Sequence, residues 1–122
     1  MNVAIRRDDR GAVTAELALG LPVLLAVTTG LVWLLSIGAA QVRTVDAARE
    51  TARAVARGDD EAAAVSVGRQ VAPEGVDVEV VRSDGRVTVR ARGHLDGPGG
   101  MFGFLPGVDV SAEAVAITEE EP

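Results

Sequence analysis

The chain has 122 residues, room for one small domain once a membrane segment is set aside. The absence of cysteine excludes a disulfide framework, a cysteine zinc cluster and a thiol nucleophile. A formal charge of −6, with 12 arginines scattered among 18 acidic residues and only three aromatic side chains, argues against a nucleic-acid-binding surface.

The first eleven residues, MNVAIRRDDRG, carry Arg6, Arg7 and Arg10. From Leu17 to Ala40 there is then no charge at all, and Glu16 sits at the mouth of that run. A helix over those 24 residues is about 36 Å long, against a bilayer core of about 30 Å. A buried core helix is the other reading of such a run, but the rest of the chain is too short and too polar to enclose it. One membrane-spanning helix is therefore expected in the lipid bilayer of the cytoplasmic membrane. The leading arginines hold the N-terminus on the cytoplasmic side and leave the remainder outside. Within the run, Pro22 lacks a backbone donor and should bend the helix. Ala26 and Gly30 form a small-xxx-small pair that lets another helix approach closely.

The helix is expected to continue past the membrane through QVRTVDAARETARAVAR, residues 41–57, as an amphipathic segment. Val42, Val45, Ala48, Ala52 and Val55 form its apolar face. Arg43–Asp46, Asp46–Arg49 and Glu50–Arg53 are oppositely charged and three residues apart, each pair contributing about 0.2–0.5 kcal/mol on an exposed face. Gly58 is a C′ residue that ends the helix. Asp59 is expected to cap a second, short helix that stops before Pro73, with Asp60 and Glu61 in its first turn. That acidic trio lacks the turn glycine and spaced oxygens of a calcium loop.

At Val76 the period changes from helical to two. VDVEVVR and VTVRARGHL flank Asp84-Gly85, a hairpin signal, and VDVSAEAVAI, residues 108–117, reads as a third strand. The intervening GPGGMFGFLPG is expected to fold its apolar residues over the small sheet; the other reading is a partner contact, since an exposed apolar cluster needs a partner to hide it. The loop lacks the Lys-Ser/Thr ending of a phosphate loop. Glu119, Glu120 and Glu121 form an acidic tail. His94, the one histidine, has no second ligand or nucleophile at a recognisable spacing, so neither catalysis nor a metal or cofactor site is expected.

The N-terminus leaves three processing outcomes open. A secretory signal peptide cut after Ala40, with small residues at Gly38 and Ala40, would release a small secreted domain. Against it, the apolar run exceeds the usual core of about 7–15 residues. An uncleaved chain would be a single-pass anchor carrying an interaction module. The third outcome is cleavage after Gly11, which would leave Ala12 as the new N-terminus and Glu16 as its fifth residue. The mature N-terminus, Gln41, Met1 or Ala12 respectively, separates the three.

The residues around that third site carry a resemblance. Glycine, four residues, glutamate and an apolar helix form the class III leader pattern of type IV pilins and pseudopilins. More narrowly Arg10, Gly11, Glu16, Ala18, Leu19, Leu21, Pro22, Leu24 and Leu25 resemble the TadE family, minor pilins of the Tad tight-adherence apparatus. Leu17 stands where Tad pilins often carry an aromatic residue, which favours a minor over a major pilin. The resemblance implies a structural protein with no enzymatic activity and no cofactor, cleaved by a membrane prepilin peptidase between Gly11 and Ala12. Its partners would be other pilins or pseudopilins and the Tad assembly machinery, with no nucleic acid involved. Glu16 would pair with an Ala12 amine, its own or a neighbour's, and set axial register in a filament.

The expected architecture is α+β and pilin-like: a long N-terminal transmembrane and amphipathic helix, a short second helix, and a small three-stranded antiparallel sheet. The expected division is a leader over residues 1–11, the long helix over 12–57, a small extracytoplasmic domain over 58–118 and the acidic tail over 119–122.

Overall fold

A computed structural model describes residues 2–117. The elements are a long helix α1 (Asn2–Ala56), a short helix α2 (Glu61–Val71), and strands β1 (Val76–Ser83), β2 (Arg86–Leu95) and β3 (Val108–Ile117). The strands form one antiparallel sheet in the order β1-β2-β3, so the α+β expectation holds. The acidic tail lies outside the described residues.

The chain divides into two compact units, Met1–Leu34 and Leu35–Pro122. In the first, α1 exposes large apolar residues on all sides: Val13, Leu17, Leu19, Leu21, Val23, Leu24, Leu25 and Val27 are each more than half exposed. A helix that is apolar all round is stable only inside lipid or among other helices, and this one is long and apolar enough to cross a membrane. Its helical backbone begins at Asn2 and passes through the expected leader without a break. No proline interrupts Asn2–Arg10, and Gly11 alone costs a helix about 1 kcal/mol.

In the second unit, α1 buries Ala40, Thr44, Ala47, Ala48, Thr51, Ala52, Ala54 and Val55. This stripe shares Ala48, Ala52 and Val55 with the expected face, but Val42 lies outside it and is 60% exposed. Two threonines stand on the buried side instead. Thr44 Oγ1 donates to Ala40 O at 2.7 Å and Thr51 Oγ1 to Ala47 O at 2.8 Å, so neither hydroxyl is left unsatisfied. Small residues on this face let the helix approach its neighbours closely. At Gly68 of α2 even a Cβ would collide with Thr51 Oγ1.

The end of α1 is encoded locally. Gly58 has φ +90°, Gly58 N donates to Val55 O at 3.0 Å, and Asp59 N donates to Ala54 O at 3.1 Å. Those paired bonds are a Schellman motif, so Gly58 is the expected C′ residue. The motif takes Asp59 as its last residue, and the N-cap of α2 is therefore Asp60, one position later than expected. Ala64 N donates to Asp60 O at 2.9 Å, while the Asp59 carboxylate meets Arg57 at 3.3 Å. Ala72 is extended, as a residue before proline tends to be, and ends α2.

The hairpin turn has φ +51° at Asp84 and φ +74° at Gly85, and Ser83 pairs with Arg86. Two consecutive positive φ values are the signature of a type I′ turn, whose twist matches that of the flanking strands. Alternation then sorts the sheet. Val78, Val87, Val89 and Ala91 are buried against Ala47, Ala48, Ala52, Ala54 and Val55 of α1 and Ala64 of α2, and Val110 of β3 is buried as well. The opposite face carries charged pairs, Arg90–Glu113 at 3.4 Å and Arg92–Glu79 at 3.6 Å, together with the exposed Val115 and Ile117 at the end of β3.

Candidate assembly site

Gly11, Ala12, Glu16, Pro22, Ala26 and Gly30 all lie on α1. Gly11, Ala12 and Glu16 are exposed. Ala12 and Glu16 are four residues apart and share one face of the helix. Among the described residues Glu16 meets no ion-pair partner, and its carboxylate stands exposed at the start of the apolar run. Thr14 Oγ1 donates back to Arg10 O at 2.9 Å, across the Gly11–Ala12 bond.

Gly11 has ordinary helical geometry, and a Cβ there would meet nothing within 4 Å; the same holds for Gly20, Gly30 and Gly38. Among the described residues, no contact asks for glycine at these helical positions. Ala26 and Gly30 are half-buried, one turn apart. Pro22 sits inside α1 with helix on both sides. Its missing N–H leaves the Ala18 carbonyl without its helical donor.

Gln41, for which the sequence carried no expectation of a contact, and Arg43, expected in an exposed charge pair, tie α1 to the rest of its unit. Gln41 Nε2 donates to Ser111 O of β3 at 3.0 Å. Arg43 donates to Val71 O and Ala72 O at 3.3 and 3.4 Å, capping the C-terminus of α2. A guanidinium placed against orphan carbonyls is favoured there, so Arg43 makes this contact and no bond with Asp46. Of the three expected charge pairs along the helix only Glu50–Arg53 forms, at 3.3 Å and exposed to solvent. Nothing in the local sequence marks Gln41 or Arg43, because their acceptors come from residues 28 to 70 positions away.

His94 Nδ1 lies 2.7 Å from Asp109 Oδ1, across a directly opposed pair of strand positions. This is a cross-strand contact on the polar face, and among the described residues no three metal-ligating side chains come together. The GPGGMFGFLPG loop contradicts one expectation. It makes a 3-10 turn at Gly100–Phe102 and leaves Phe104 77% exposed, so its apolar residues are not all folded over the sheet. With glycines at 97, 99, 100, 103 and 107, the loop follows its own turns, and these carry Phe104 outward.

Comparison with known proteins bears on the helix. Residues 11–53 match the family described as TadE-like protein, so the resemblance carried by Gly11, Glu16 and Pro22 holds over that segment. This is a structural, Tad-pilus-associated family and not an enzyme family. A protein of Mycobacterium tuberculosis described as apoptosis inhibitor Rv3655c is 38% identical over 79 residues, 65% of this chain and 57% of that protein. The present chain thus spans little more than half the length of that relative. No solved structure matches.

Proposed function

We propose that this chain, TadE-like over residues 11–53, is a structural minor pilin or pseudopilin of a Tad-type pilus or a related secretion system. It is inserted with its N-terminus in the cytoplasm and cleaved between Gly11 and Ala12 by a prepilin peptidase. The observation that carries the reading is the exposed Glu16 carboxylate, five positions after Gly11, at the mouth of a helix exposed on every side. Cleavage gives each part of that pattern a physical use. A peptidase must draw the scissile bond out of the helix, and glycine weakens the helix there by about 1 kcal/mol. The cut removes three arginines and two aspartates, making the remaining chain one unit more negative than −6. It also moves Glu16 from the middle of a helix to its first turns, beside a new ammonium group and near the positive end of the helix dipole. The dipole effect alone is worth about 0.3–1 kcal/mol when exposed. In a dry helix bundle the ion pair itself weighs far more.

N-terminal sequencing of the mature protein tests this directly. Ala12 is expected. Met1 would mean an uncleaved anchor, and Gln41 a domain released by signal peptidase. Gly11→Val should block cleavage and leave the 122-residue chain in the membrane, because the apolar run that drives insertion is untouched. An Ala12 N-terminus from that variant would show the site to be wrongly assigned.

Topology follows from the same reading. The chain has no cysteine, and Ser83 is exposed beside the hairpin turn, so Ser83→Cys introduces a single reporter thiol. That thiol should react with a membrane-impermeant reagent in intact cells. Reaction only after permeabilisation would place the sheet inside the cell and reverse the orientation.

A further inference from the structure

The loop from Gly97 to Gly107 is uncharged throughout and joins β2 to β3. It is a built feature of the fold. A Cβ at Gly97 would collide with Leu105 O, and one at Gly107 would collide with Leu95 O and the His94 ring, so the two stems are pressed together. Three backbone bonds shape the tip: Phe102 N to Gly99 O at 3.1 Å, Gly103 N to Gly100 O at 3.1 Å, and Leu105 N to Phe102 O at 2.9 Å. The rings of Phe102 and Phe104 lie 6.3 Å apart between centroids. Phe102 and Leu105 are half-buried, whereas Phe104 is 77% exposed.

The contacts between α1 and β3 show where this tip lies within the second unit. Gln41 bonds Ser111, and further along the helix Arg49, Ala52, Arg53 and Ala56 share a groove with Ala114, Val115 and Ala116. Later helix residues meet later strand residues, so the two elements run in the same direction. The start of β3 therefore lies toward the Leu35–Ala40 end of the helix. The bond from Arg43 to Ala72, just before β1, brings the start of that strand to the same end independently. From Ser111 back to Val108 the strand covers about 10 Å, the rise of six or seven helical residues. That is the stretch Leu35–Ala40, the last six residues of the uncharged run.

We propose that this loop is a second membrane contact. Phe104, backed by Phe102 and Leu105, enters the headgroup–acyl boundary of the bilayer that α1 spans. The occupant is set by continuity: the end of the unit that carries the exposed ring is the end at which the apolar helix enters lipid. Apolar and aromatic side chains are favoured in that zone. Asp96 and Asp109 flank the loop at its stems, so acidic groups border it. The contact is apolar and should form on zwitterionic phosphatidylcholine. With two points of attachment, the sheet is held against the membrane surface and does not swing freely on one helix. The proposal rests on α1 spanning the membrane, and its test reads the two separately.

Trp33 is the sole tryptophan and lies within the apolar run. The full chain is reconstituted in phosphatidylcholine vesicles with and without lipids brominated on the upper acyl chain. Quenching of Trp33 by the brominated lipids checks the spanning helix. A Trp33→Phe, Phe104→Trp double variant then reports on the loop, and Trp33→Phe, Ser83→Trp reports on the far end of the hairpin. The indole at position 104 should be quenched by brominated lipid, shifted to shorter wavelength and shielded from aqueous iodide. The indole at position 83 should be quenched by iodide and not by brominated lipid. Quenching of position 104 by iodide alone, with Trp33 still quenched by lipid, would overturn the loop contact and leave the membrane helix standing. Shielding from both quenchers would also overturn it, in favour of a protein contact. Failure of Trp33 itself to be quenched would remove the spanning helix and the loop contact together.

Discussion

On the proposed reading of the chain as a cleaved pilin, Glu16→Val should yield a protein that is inserted and cleaved normally yet fails to enter the filament. Insertion should improve, since a carboxylate leaves the apolar boundary. Cleavage should persist, because Gly11 and the leader are unchanged. Assembly is where the loss appears. The Ala12 ammonium group released by cleavage would be carried into a helix bundle without its partner. Breaking a buried pair by removing one member costs about 3–5 kcal/mol, and each 1.4 kcal/mol is about a tenfold change in an equilibrium. Incorporation should therefore fall by two orders of magnitude or more. The reading is the amount of cleaved variant that co-purifies with sheared surface filaments, or that cross-links to partner pilins. Parental incorporation would reduce Glu16 to a carboxylate that merely reaches the interface. Glu16→Gln should recover part of the loss, because an amide oxygen still accepts a hydrogen bond from the amine but carries no charge.

Gly93→Ala should destabilise the sheet-bearing unit and leave the first unit untouched. Gly93 pairs with Val76 at the start of β1, and a Cβ there would collide with Gly75 O and Val76 Cα. Both atoms are backbone, so relief requires moving a strand and not a rotamer. Gly75 has φ +85°, and a Cβ on it would stand 2.9 Å from His94 O, so the two backbones are close from both sides. Overpacking of this kind typically costs about 1–3 kcal/mol. For a domain of 60–100 residues each kcal/mol lowers the midpoint by about 4–8 °C. The full chain in detergent should show that fall as earlier tryptic cleavage at Arg90 and Arg92 on heating. Gly30→Ala is the control: nothing lies within 4 Å of its Cβ position, so the sheet should melt as in the parent. An unchanged midpoint for Gly93→Ala would mean that the strands can separate there at little cost.

The sequence by itself determined those features whose causes are local or periodic. The end of α1 was legible because the Schellman bonds join residues no more than five apart and need only a glycine at position 58. The hairpin was legible because Asp84-Gly85 suits two positive φ values, and strict alternation on either side leaves one register that buries a whole face. A helix long and apolar enough to cross a membrane followed from 24 uncharged residues, and the TadE resemblance from Gly11, Glu16 and Pro22. Tertiary structure decided what depends on distant neighbours. A valine outranks a threonine on any apolar scale, yet Thr44 and Thr51 are buried and Val42 is exposed. Each threonine returns its hydroxyl bond to its own helix, and the small residues beside it permit an approach that a row of larger side chains would block. Arg43 turned from a neighbouring aspartate to the carbonyls of α2 because the fold brought unpaired acceptors within its reach. Phe104 stayed exposed because glycine-permitted turns in its loop, and not its apolarity, set where the ring points.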